Sequence, residues 1–137
     1  MLDLDLFPGE YAICRLPAGS GVPQPLVDAA ASGKPGQAVS VTWTPYETSV
    51  MCPAELAPAE ATVEPGWRCF RVVGPVNLTL TGIVAAFSVP LAEARVNIFC
   101  FSTYDTDYLL VNSVRLGEAI AALSEAGHRL SGDLPSE

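Results

Sequence analysis

The run "VNIFCFSTYDTDYLLV" at residues 96–111 constrains this chain more than any other. Two apolar segments of strand length, 96–102 and 107–111, are joined by a short polar turn, which reads as a β-hairpin. On both sides the periodicity changes to that of a helix. In 81–94, Ile83, Phe87 and Leu91 recur at i, i+4 and i+8; in 113–126, Leu116, Ile120 and Leu123 share a face, with Gly127 placed to end the helix. Pro90 removes a backbone donor inside the first helix and is expected to kink it or start a new turn. A strand at 67–73 precedes these elements and "HRL" at 128–130 offers a closing edge strand. The order is β-α-β-β-α-β, the split-βαβ or ferredoxin-like order, an antiparallel sheet with two helices on one face.

The first half gives a shorter version of the same order. Strands are expected at 2–7 and 10–16, paired around the Pro8-Gly9 turn, followed by the loop "PAGSGVPQP" and a short helix at 25–31 with proline in its first turn. Strands at 38–44 and 48–52 flank "TPYE". The second helix is then lost in "PAELAPAEATVEPG", an Ala/Pro/Glu-rich connector with at most one helical turn. "SGDLPSE" reads as a frayed tail.

Laid over one another without a gap, "SVTWTPYETSVMCP" and "IFCFSTYDTDYLLV" place Tyr46-Glu47-Thr48-Ser49 on Tyr104-Asp105-Thr106-Asp107. Arg15 falls opposite Arg71 at nearly the same separation. This reads as two small copies of one fold in tandem, an internal repeat. The expected organisation is an α+β chain with a degenerate domain at 1–62, a complete one at 63–131 and a flexible tail at 132–137. In this overlay Ser49 stands where the second copy has Asp107. Turning alone tolerates either residue; a carboxylate kept in one copy points instead to a ligand group.

Composition narrows the function. A net charge of −8 and only seven scattered basic residues oppose binding to nucleic acid or an anionic membrane. No apolar run reaches the roughly 18–20 residues of a membrane span, and the acidic start "MLDLDLFPGE" argues against a secretory leader and for the cytoplasm. Cys14, Cys52, Cys69 and Cys100 show no metal-ligand or redox spacing and each lies in or beside a strand-like run, so they read as small buried hydrophobes. With one histidine, His128, and no glycine-rich phosphate motif, neither a histidine-based triad nor a nucleotide cradle has its residues, and no cofactor or metal is expected. Asn77-Leu78-Thr79 fits a glycosylation sequon that a cytosolic chain would not use.

The segments "FPGEYAICRLP", "GWRCFRVVGPVNLTLTGIVAAFSVPLAEARVNIFCFSTYDTDYLLV" and "LGEAIAALSEAGH" together resemble the small bacterial tandem ACT-domain proteins, which share their domain type with eukaryotic arginine sensors. The likeness spans nearly the whole chain; "STYDTDY" and the helix start "LTGIVA" are its most specific parts. It implies βαββαβ domains that bind a small amino acid at a domain interface for regulation, without catalysis. A site between two such domains would need a homodimer or the two copies of one chain. On this likeness Asp107 is the anion for the ligand ammonium. Thr81, Gly82 and Ile83 open a helix whose free N–H groups suit the ligand carboxylate, while Thr103 and Tyr104 border the ligand side chain. Read from the residues alone, Thr79 or Thr81 is equally a helix cap, Gly82 a packing glycine, Asp105 a turn former and Tyr104 a packing residue. Two other functions remain: an interaction module that has kept the fold without a ligand, and a thiol enzyme using one cysteine.

Overall fold

The computed structural model describes residues 1–74 and 81–136. Its strands are β1 (Asp3–Leu6), β2 (Tyr11–Leu16), β3 (Ser40–Trp43), β4 (Thr48–Pro53), β5 (Thr62–Val72), β6 (Ile98–Ser102), β7 (Asp107–Asn112) and β8 (Arg129–Gly132). Its α-helices are α1 (Gln24–Ser32), α2 (Ile83–Glu93) and α3 (Leu116–Glu125). The residues group into two compact units, one of residues 9–67 and one of residues 1–8 with 68 onward. β5 gives its first six residues to the former and its last five to the latter.

In the unit of residues 9–67 the strand order is β3-β4-β2-β5, all antiparallel. Alternation puts Ala12, Cys14 and Leu16 of β2 and Val50 and Cys52 of β4 on one face, where Leu26 of α1 completes the core. Proline occupies the first turn of α1 and Gly33 ends it at φ 60°. Where a second helix would follow β4 there is one 3-10 turn, Ala54–Leu56. The supposed connector stops early: Thr62–Pro65 already belong to β5, because Thr62, Val63 and Glu64 pair with Arg15, Cys14 and Ile13. Pro65 and Gly66 fit inside this strand because the register shifts opposite them, between Tyr11 and Ile13, leaving a bulge that needs no proline N–H.

The other unit has the order β6-β7-β5-β1-β8 with α2 and α3 on one face. Leu4, Leu6, Phe70, Val72, Leu109 and Val111 meet Phe87, Leu91, Leu116 and Leu123 in its core. Two expectations change here. β1 does not pair with β2; it pairs antiparallel with β5 and parallel with β8, so the sheet is mostly rather than wholly antiparallel. The turn at Pro8-Gly9 sends the chain onward instead of back, since Phe7 N–H already bonds Cys69 O at 2.8 Å.

α2 continues through Pro90. A proline at 90 leaves the carbonyl of Ala86, four residues earlier, without its helical donor. His128 replaces it: Nε2 lies 2.7 Å from Ala86 O, while Nδ1 accepts from Leu2 N–H at 3.0 Å. These partners fix a neutral ring with its proton on Nε2. The last strand is closely fitted as well. A Cβ on Gly132 would lie 2.3 Å from Leu6 O, and Asp133 bonds Leu6 O through its N–H at 2.9 Å and Arg68 through its carboxylate at 3.1 Å.

Candidate functional site

The β6–β7 hairpin carries three of the expected site residues. Thr103 N–H donates to Thr106 O at 2.8 Å, with Tyr104 and Asp105 at the tip. That bond makes 103/106 a hydrogen-bonded pair, so the next pair down, Ser102 opposite Asp107, has its main-chain groups pointing outward and its side chains close together. The Ser102 hydroxyl accordingly donates to Oδ1 of Asp107. By the period of two, Asp107 shares the helix-bearing face with Leu109 and Val111 of the core. It is half-buried, and among the described residues no group donates to its Oδ2.

Thr106 anchors this turn. It is buried, and its hydroxyl donates to Val72 O at 2.7 Å, tying the hairpin to the end of β5 from which the chain leads to α2. Thr103 is exposed and its hydroxyl bonds back to Thr106 O at 3.3 Å, a turn-forming role. Tyr104 is 84% exposed and stands in solvent.

At the other group, Gly82 occupies the N-cap of α2 at φ 80°, ψ 3°, and no side chain caps the helix. Thr81 is exposed, outside the helix, and Ile83 is its first residue, half-buried. The helix thus starts two residues later than the expected Thr81. A Cβ at Gly82 would meet nothing within 4 Å; its positive φ is the reason for glycine. Asn77 and Thr79, within 75–80, fall outside the described residues. The structure therefore places Thr103, Tyr104 and Asp107 on the β6–β7 hairpin and Thr81, Gly82 and Ile83 at the start of α2.

Ser102 was absent from the sequence expectations. Its signal is the five-residue spacing to Asp107 across a two-residue tip, legible once that tip is fixed at Tyr104-Asp105. The repeat overlay shifts for the same reason. Thr44 N–H donates to Glu47 O at 3.0 Å as Thr103 does to Thr106 O, and Trp43 faces Thr48 as Ser102 faces Asp107. The position matching Asp107 is therefore Thr48, not Ser49. Thr48 is fully buried and its hydroxyl has no partner among the described residues.

Elsewhere, a cleft of about 380 Å³ between α2 and α3 is lined by Pro90, Ala94, Ala122 and Ala126 with Glu93 and Glu125, and contains none of these residues. Among the described residues no cluster of three or more metal-binding side chains occurs, and no helix is long and apolar enough to cross a membrane. Burial pushes the thiols of Cys52 and Cys69 up to about 12 and raises that of Cys14; only Cys100 is exposed.

Residues 62–125, from β5 through α3, match the ACT domain, so the hairpin and helix start described above belong to a domain of that regulatory class. Over 99% of its length the chain matches the crystal structure of protein Atu0741 from Agobacterium tumefaciens, covering 96% of that chain at 34% identity and a TM-score of 0.83. The chain belongs to the same family as that protein. A Vibrio cholerae protein of unknown function is similar at 22% identity and TM-score 0.66, over 91% of this chain and 89% of that one. The regulatory subunit of aspartate kinase from Thermus thermophilus, in its ligand-free form, is similar at 16% identity and TM-score 0.61, over 90% of this chain and 96% of that one. These last two likenesses are of fold. None of the curated proteins matches the sequence.

Proposed function

We propose that this protein is a non-enzymatic regulator that binds a small amino acid, built from two tandem ACT-type domains and acting as a cytoplasmic homodimer. In this reading the degenerate domain is the unit of residues 9–67, and the complete one is residues 1–8 with 68 onward. The observation that carries the reading is the Ser102–Asp107 pair: a half-buried carboxylate on the helix-bearing face, with one oxygen held and the other without a donor among the described residues. Such an oxygen suits an ammonium through charge-assisted bonds. The start of α2, which no side chain among the described residues caps, directs its first-turn N–H groups outward and suits a carboxylate. An α-amino acid carries both charges on one carbon. The resemblance to the arginine-sensor family supports Asp107 in this role, and the ACT domain supports regulation.

Thr81, Gly82 and Ile83 are the carboxylate side of the site; Thr103 and Tyr104 are its border. The buried, high-pKa thiols of Cys14, Cys52 and Cys69 weigh against the thiol-enzyme reading. The test is a thermal-shift screen with the twenty amino acids. A ligand at 100 times its dissociation constant adds about 2.7 kcal/mol, several degrees for a domain of this size. No shift with any of them would leave the interaction-module reading instead.

A further inference from the structure

We infer that His128 is a proton-operated latch: as the neutral imidazole it ties the start of β1 to the first turn of α2, and taking up a proton releases both. The ring is 8% exposed and both its nitrogens are engaged. Leu2 N–H donates to Nδ1 at 3.0 Å, and Nε2 donates to Ala86 O at 2.7 Å. A backbone N–H can only donate, so the bond to Leu2 exists only while Nδ1 keeps its lone pair. Protonation puts a hydrogen there and sets two donors against each other inside the fold. Water does not screen such an opposition at a buried site, and the ring escapes it by turning outward. In leaving it also strips Ala86 O, which Pro90 already deprives of a helical donor. One proton therefore undoes two bonds.

The place of the ring gives this a consequence. Leu2 O accepts from Arg129 N–H at 2.9 Å, and His128 N–H donates to Leu123 O at 3.1 Å, so the start of β1, the start of β8 and the last turn of α3 meet at the latch. On the other side Ala86 N–H donates to Gly82 O at 2.9 Å, so the residue that His128 holds closes the turn on which α2 opens. Released, the first residues of β1 and this turn lose their common tie, while Phe87 and Leu91 still anchor the helix in the core. The charged groups on these elements do not offer the imidazolium a counter-ion. Asp3 and Arg129 pair with each other at 2.6 Å, Glu125 and the Met1 terminus are exposed, and α2 carries no charge before Glu93. Among the described residues none of them bonds the ring. A glutamine would supply the same acceptor and donor without titrating; the imidazole is the side chain that changes state between about pH 5 and 8.

His128 is the one histidine of the chain, which makes the test specific. The full chain is unfolded in urea at several pH values between about 7.5 and 5.5, the range in which histidine titrates. The native state holds the ring neutral, so stability is present at the upper end and lost as pH falls. The ratio of folded to unfolded protein should drop by up to about tenfold per pH unit, the limit for one proton. His128→Gln should show a flatter dependence, and the difference between the two proteins cancels the carboxylates, which are common to both. Hydrogen exchange on the wild type decides the matter even where the variant folds poorly. Corrected for intrinsic rates, protection at Leu2 and at the opening turn of α2 should fall about tenfold or more from pH 7.5 to 5.5, while Leu109 and Leu110 in β7 stay protected. Unchanged protection at Leu2, a wild type as stable at the lower pH as at the higher, or the same loss in His128→Gln would each overturn the latch.

Discussion

Ser102 and Asp107 face each other across the β6–β7 hairpin, and the serine hydroxyl donates to Oδ1 of the aspartate. This holds a half-buried carboxylate in one orientation without neutralising it. With whichever amino acid raises the melting point, Asp107→Asn should weaken binding about ten- to a hundredfold by titration calorimetry, the loss of a charged hydrogen bond. Asp105→Asn, at the exposed tip, should leave it within error. Ser102→Ala should fall between them. Equal losses at 105 and 107 would remove Asp107 from the site.

His128 and Pro90 form a second dependent pair. The proline deprives Ala86 O of its helical donor, and the imidazole supplies one at 2.7 Å. His128→Ala should therefore cost about 1–3 kcal/mol for each buried group left unpaired. In a Pro90→Ala background the helix regains its own N–H, and the loss from His128→Ala should shrink by about 1 kcal/mol, the share of one hydrogen bond. Urea unfolding of the four proteins closes the cycle. An unchanged cost would mean that the histidine only packs.

How far the sequence led depended on whether a feature was local. The helices over Ile83–Glu93 and Leu116–Glu125 and the β6–β7 hairpin followed from periodicity, because their faces repeat within a few residues. β1 is legible as a strand but its neighbours are not: its partners β5 and β8 lie some 65 and 125 positions away along the chain, and strand pairing at that distance leaves no local mark. Thr62–Pro65 looked like linker because Pro65 breaks the pattern, and only the bulge opposite it in β2 makes room. At the site, Asp107 was legible as a carboxylate in excess of turning. Ser102 was not, since its role depends on which hairpin pairs have side chains close together. The repeat overlay slipped by one residue for the same reason, and one residue on a strand reverses the face.

The three buried thiols give a stability that depends on alkali. In the folded protein Cys52 and Cys69 ionise only near 12, against an ordinary 9.0. Below about pH 9 both folded and unfolded chains keep these protons, and stability is fully present. Between about 9 and 12 the unfolded chain gives them up first, so each thiol steepens the loss by at most about 1.4 kcal/mol per pH unit. The midpoint of urea unfolding should fall as pH rises above 9. Cys69→Ala should be less stable at neutral pH but lose stability less steeply in alkali. Native labelling with iodoacetamide at pH 8 should modify Cys100 alone.

Thr106 ends the β6–β7 turn and Thr48 opens β4, and their buried hydroxyls have opposite accounts. The Thr106 hydroxyl is buried and donates to Val72 O at 2.7 Å; the Thr48 hydroxyl is fully buried and has no partner among the described residues. Valine has nearly the shape of threonine without the polar atom. Thr106→Val should cost about 1–3 kcal/mol, because the buried Val72 carbonyl loses a donor. Thr48→Val removes an unsatisfied group from the core and leaves nothing unpaired, so it should be neutral or stabilising. Melting temperatures of the two variants decide the matter, and a loss from Thr48→Val comparable to that from Thr106→Val would show that the Thr48 hydroxyl has a partner in solution.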